Sequence, residues 1–366
     1  MSDHSLEAGP LPASLPDAID GTAPPLLADE IRRIFTCKRI EAAIPSSLKK
    51  QGLKVEDYER IGGLTNRNYK LNRGSNAVVL RLPGWGTARF IDRSSERTNQ
   101  EAAALAGFTP QSIYFNDRTG VKITRFFTDA KSLDARDARL PQWRDEVARL
   151  LRRFHSSGIV FAKRFDGFAM ARTYERIAAG RLSRFYRDFG KVKPRIMALE
   201  EPLAAISARP VACHNDLVPE NILRRASGLT LIDWEYSGMN DPAWDLASFF
   251  IESGYSATDE AAFLAAYHGP ATDDSGKDLQ VRINAFKLLQ DYLWSLWSLL
   301  QEGASRTPAS ARYYRNYGTM RYARAIARLP AVERSLGILA KEAHAGNTDK
   351  SERNRGGLRG QRHKTA

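Results

Sequence analysis

Hydrophobic and polar positions follow different rhythms along this chain. Residues 1–27 mix proline, alanine and small polar residues without a period, which predicts a flexible leader. Asp29 is placed to cap a helix that carries Ile31, Ile34 and Phe35 at helical spacing and runs toward Ile44 before Pro45 stops it. From Tyr58 the apolar positions come in short runs broken by turn residues: 58–61, then Gly62 and Gly63, then 68–72, a turn at Gly74, and 77–82. A helix is predicted over 93–106, followed by strands over 113–115 and 121–124 with a turn at 117–120 between them. Beyond Thr128 the helical period dominates, over 142–156, 174–186, 194–206, 261–267, 279–301 and 313–329. A pair of short strands interrupts it, between 214–223 and 229–234. The order implies an α+β chain: a small β-rich lobe over 28–127, then a larger, mainly helical lobe over 128–340, without internal repeats.

Composition adds limits to this outline. With 366 residues, 43% of them hydrophobic, the chain can bury a large core in one big domain or two coupled lobes. The net charge of +13 raises a nucleic-acid or anionic-membrane reading, but the charge is spread out. Part of it sits in residues 341–366, where Lys341, Lys350, Arg353, Arg355, Arg359, Arg362 and Lys364 outnumber Glu342, Asp349 and Glu352, so this segment reads as a disordered, solvated basic tail. No RNA-binding aromatic motif accompanies it, so no specific nucleic-acid partner is expected. Cys37 and Cys213 are too few for a disulfide framework and are not spaced as metal ligands. Asp3 and Glu7, followed by Pro10, Pro12 and Pro16, do not form a secretory signal. The most apolar stretch, 288–300, is interrupted by Gln290 and Asp291 and falls short of the ~20 apolar residues that span a bilayer. A cytoplasmic protein without a transmembrane segment is expected, and oligomeric state is not legible.

The chemistry is carried by three residues. Asp216 and Asn221 stand five apart in a segment without helical character, and Asp233 ends the strand after the next turn. Phosphoryl transfer uses this spacing: one aspartate accepts the proton of the attacking hydroxyl, the asparagine ligates magnesium, and the second aspartate holds the metal against the phosphates. Oxygen ligands of this kind suit magnesium rather than zinc. Taken singly, Asp216 and Asn221 would read as turn caps.

His214-Asn215-Asp216 with Asn221, followed by Ile232-Asp233-Trp234-Glu235-Tyr236, resembles the choline/ethanolamine kinase branch of the kinase-like small-molecule phosphotransferases, which also include aminoglycoside phosphotransferases. The resemblance covers residues from about 58 to about 330. It departs from protein kinases, which have an arginine in the middle of the loop triplet and Phe-Gly after the metal aspartate, so a protein substrate is not expected. It implies a two-lobed protein-kinase-like fold using ATP and magnesium. By the same resemblance the segment holding Gly62, Gly63, Thr65, Asn66 and Asn68 covers the nucleotide, where the pattern alone reads as a plain hairpin. Arg81 stands where a protein kinase has lysine; its planar fork can grip phosphate oxygens. An acidic residue on the next helix should orient it, Glu96 or Glu101, and the family pattern favours Glu96. Asp245 matches an aspartate that braces the catalytic loop.

The resemblance also implies the acceptor. Leu293-Trp294-Ser295-Leu296-Trp297-Ser298 is similar to the tryptophan pair that lines the family's choline site, and Trp294 and Trp297 share a helix face. A quaternary ammonium has no hydrogen-bond donor, so its site needs aromatic faces and a nearby carboxylate, for which Glu252 is the candidate. Tyr317, and further off Tyr255, are candidates to complete the cage. Spacing alone would place the tryptophans in the core. The expected reaction is ATP-dependent phosphorylation of a small amino alcohol, choline to phosphocholine. Ethanolamine, thiamine or an aminoglycoside stand as other acceptors, and a non-catalytic basic binding module on the same scaffold as the rival class.

Overall fold

The structure, a computed structural model, describes residues 38, 40–50, 52, 58–63, 65–72, 77–84, 86–180, 184–268, 276–305 and 307–357, with side chains from 278 and up to 337 in the last two spans. The expected leader 1–27, the Asp29 cap and most of its helix lie outside the described residues. Positions 40–43 are helical, the chain breaks at Pro45, and a short helix Ser46–Lys50 follows.

The β-rich lobe is an antiparallel sheet of β1 (Tyr58–Arg60), β2 (Arg67–Leu71), β3 (Val78–Leu82), β4 (Ser112–Phe115) and β5 (Lys122–Arg125), in the order β1-β2-β3-β5-β4. Period-two alternation divides β3 between two faces. Val78, Leu80 and Leu82 join Leu71, Ile123 and Ile40 in a small core, whereas Val79 and Arg81 line a cavity. The helix Arg93–Leu105 begins where Asp92 accepts the amides of Ser94 and Ser95, both at 3.1 Å, and it turns Glu96, Asn99, Gln100 and Ala103 inward.

The second lobe is mainly helical, and its core is a separate cluster built on the helices Pro141–His155, Gly167–Ala179, Ala243–Ser253 and Gly276–Ala304. Gly276–Ala304 packs against Gly167–Ala179, Ala243–Ser253 and the last helix, Pro308–Gly357. Gly318 permits the last contact: a Cβ there would lie 1.8 Å from Ser298 Oγ and 2.1 Å from the Tyr186 hydroxyl. The same lobe carries the short strands β6 (Lys131–Ser132), β7 (Val211–Cys213), β8 (Ile222–Arg225), β9 (Gly228–Leu231) and β10 (Gly238–Asn240), paired as β6-β8-β9 and β10-β7.

Several predicted boundaries move. The helix expected over 174–186 runs Gly167–Ala179, because Asp166 caps it through the Ala169 amide. The one expected over 194–206 is two helices, Phe189–Met197, which contains Pro194, and Glu200–Ile206. The last helix continues to Gly357 without a break at 340, as its alanine, lysine and glutamate residues allow. β6, β7 and β10 have two or three residues each, too few to leave a periodic pattern.

Candidate active site

The loop after β7 is held by one carboxylate. Asp245, fully buried at the start of the Ala243–Ser253 helix, accepts the amides of His214 and Asn215, both at 2.7 Å, and lies 3.2 Å from His155 Nε2. Asn215 sits at φ +64° and Asp233 at φ +66°, a backbone region that non-glycine residues seldom occupy and that surrounding contacts must enforce. Those contacts are present: the Asn215 side chain donates to Tyr236 O at 3.0 Å and accepts from Asn240 at 2.8 Å. His214 Nε2 lies 2.8 Å from Ile232 O, and the Ile232 amide donates to Asn221 O at 2.9 Å. The loop bearing Asp216 and Asn221 is thereby tied to the strand end bearing Asp233.

These groups open onto a cavity of about 650 Å³ between the lobes. Asp216, Asn221 and Asp233 line it together with Gly62, Gly63, Thr65, Asn66, Asn68, Arg81, Glu252, Trp294, Trp297 and Tyr317. Glu96 does not line it; it is paired with Arg81 and almost fully buried. The positive φ of Gly63, +100°, and the 2.1 Å from its would-be Cβ to Asn66 O restrict that turn to glycine.

The choice between Glu96 and Glu101 is settled by contact. Arg81 Nη1 bonds Glu96 Oε1 at 2.5 Å, while Glu101 pairs with Arg97 on the surface. Arg81 also reaches Asp233 Oδ1 at 3.3 Å and Gly120 O at 3.1 Å. Burial alone would push the Glu96 carboxyl up, but Arg81, Lys122 and Arg93 together pull it down to about 2. Asp216 is shifted the other way: burial, then the charges of Asp233, Glu235 and Glu252, raise it well above the usual carboxylate range, with Arg321 opposing.

The acceptor candidates converge as well. The Trp294 and Trp297 rings stand edge to face at 6.1 Å, and Trp297 meets Tyr317 at 6.3 Å. Tyr236, three residues beyond Asp233, packs its ring 5.4 Å from Trp294, so the aromatic group adjoins the Asp233 segment. Both tryptophans, 8% and 5% exposed, belong at once to the core and to the cavity wall. Glu252 is not an open carboxylate: Arg321 is hydrogen-bonded to it. Tyr255 is not part of the wall; it packs on Phe250 and donates its hydroxyl to Ala138 O at 2.6 Å.

Four charged groups escaped the sequence reading. Glu235 accepts from Asn66 at 3.1 Å and from Arg93 at 3.0 Å, joining the glycine turn and the Arg93–Leu105 helix to the Asp233 segment. Lys122 on β5 is buried against Gln100 at 2.8 Å and Glu96 at 3.4 Å. Arg321 is the fourth. Only Glu235 had a cue, its place two residues after Asp233; the others owe their importance to what they face.

The donor set fits a hard divalent cation. Asn221 gives its Nδ2 to Asp216 O at 2.9 Å, which leaves Oδ1 for a ligand, and Asp233 and Glu235 supply carboxylate oxygens on the same wall. The family model for choline/ethanolamine kinase matches residues 59–326. Protein LicA of Haemophilus influenzae is 32% identical over 251 residues, which cover 67% of this chain and 73% of that protein. The crystal structure of choline kinase LicA from Streptococcus pneumoniae superposes with a TM-score of 0.68 at 30% identity, covering 80% of this chain and 99% of that one. A crystal structure of LicA in complex with AMP has the same TM-score and identity, covering 81% and 98%.

Proposed function

Because the chain belongs to the choline/ethanolamine kinase family, and is therefore a phosphotransferase acting on an alcohol, we propose that it transfers the terminal phosphoryl group of ATP to choline. The observation that carries this is the junction of two chemistries in one cavity: the Asp216, Asn221, Asp233 and Arg81 set adjoins the Trp294, Trp297 and Tyr317 rings.

Asp216 is the group that takes the proton of the choline hydroxyl as its oxygen attacks phosphorus, and ADP leaves. Arg81, fixed by Glu96, grips phosphate oxygens. The turn at Gly62, Gly63, Thr65, Asn66 and Asn68 covers the phosphates and excludes water, with Asn66 anchored on Glu235. Asn221 and Asp233 are the residues that would hold magnesium, which supplies neutralising charge to the phosphates. The ring faces of Trp294, Trp297 and Tyr317 receive the trimethylammonium group.

A cytoplasmic setting, where ATP is supplied, suits this activity, and no helix among the described residues is long and apolar enough to cross a membrane. A coupled ATP assay over choline, ethanolamine, thiamine and an aminoglycoside tests the proposal. Choline should give the highest kcat/KM with magnesium present and none after chelation. Preference for another acceptor would reassign the substrate, and ATP turnover indifferent to every amine alcohol would overturn the acceptor reading.

A further inference from the structure

The aromatic end of the cavity already contains a cation. Arg321 is 2% exposed, and its guanidinium lies 5.2 Å from the centroid of the Tyr317 ring. Its Nη2 donates to Glu252, its Nη1 to Asp291 Oδ1 at 2.9 Å and its Nε to the Tyr317 hydroxyl at 2.9 Å. An arginine thus holds the carboxylate and lies close to the tyrosine that an incoming ammonium would meet.

We propose that Arg321 sets acceptor selectivity by keeping Glu252 engaged, so that the site prefers a quaternary ammonium to a primary one. This rests on the reading of the cavity as the acceptor site. A primary ammonium brings three N–H donors out of water and must find acceptors for them, or lose hydrogen bonds to a charged group. With Glu252 paired to an internal cation, the rings offer faces and the carboxylate beside them is already engaged. A trimethylammonium group has no donors to satisfy and is bound by ring faces alone. The pairing does not depend on Asp291 staying neutralised by Arg321, because Arg324 and Arg328 also contact Asp291, at 3.2 and 3.3 Å. Removing Arg321 therefore frees Glu252 without stripping Asp291 of cations.

The test compares tetramethylammonium with methylammonium in calorimetric titrations of the full chain, beside KM values for choline and ethanolamine. Arg321→Gln should lower the preference for the quaternary over the primary probe about tenfold, the worth of a charged hydrogen bond. Arg321→Lys, which can still hold Glu252, should keep the preference, and Arg321→Gln with Glu252→Gln should restore it. In the wild-type background Glu252→Gln should change the preference less than about threefold, a measurement that does not require Arg321 variants to fold. An unchanged preference in folded Arg321→Gln, equal gains for both probes, or a selective loss of methylammonium in Glu252→Gln would each overturn the proposal. If the probes behave as expected but choline is not phosphorylated, the selectivity stands and the substrate assignment falls. If neither probe binds the wild type, both fall.

Discussion

Asp216 and Trp297 make separable forecasts. In the proposed mechanism Asp216 takes the proton of the acceptor hydroxyl, so Asp216→Asn should abolish turnover while ATP binding with magnesium survives. Retention of more than about a tenth of wild-type turnover would show that another group takes the proton. Trp297→Ala should raise KM for choline about threefold to thirtyfold, the range expected for one lost cation–π contact, with KM for ATP nearly unchanged. Because Trp297 also belongs to the core, the melting temperature should fall in the same variant. The discriminating quantity is the ratio of the two KM effects: a loss of stability with both substrates affected alike would leave Trp297 as packing alone.

At the level of elements, β3 and the Arg93–Leu105 helix are joined through Glu96, which is hydrogen-bonded or paired to Arg81, Arg93 and Lys122. Three buried cations share this carboxylate, so Glu96→Gln removes their common counter-charge and leaves Arg81 to Asp233 and Arg93 to Glu235. The expected cost is about 3–5 kcal/mol, together with a raised KM for ATP as Arg81 loses its orientation. The pH dependence has a definite sign. A carboxyl lowered to about 2 in the folded chain, against ~4.3 unfolded, contributes stability that is fully present above the unfolded value and lost as pH falls toward 2. Denaturant titrations at several pH values should show a steeper decline for the wild type than for Glu96→Gln between about pH 5 and 2. Parallel declines would mean that the cluster does not hold Glu96 ionised.

For the molecule as a whole, every group assigned a role lies between positions 62 and 321. Deleting residues 1–27 and 345–366 should therefore leave the kinetic constants intact at moderate salt. A collapse of turnover in a protein still folded by circular dichroism would assign one of those segments to the site. Most of the architecture was legible because it repeats locally. The alternation in β3 and the apolar spacing of the long helices state which face is buried, and the intervals Asp216–Asn221–Asp233 state a chemistry without needing coordinates. The choice of Glu96 over Glu101 is different. Both lie on one helix near Arg81 in sequence, and only the direction each faces after packing gives one to Arg81 and the other to surface Arg97. The same holds for Glu252. Sequence offered Glu252 as a carboxylate to accompany Trp294 and Trp297, but its partner Arg321 lies 69 residues away on another helix. Spacing along the chain determines which groups an element presents. Which charges meet across a cavity is decided by tertiary packing, because desolvated ions must be paired by whatever the fold brings within reach.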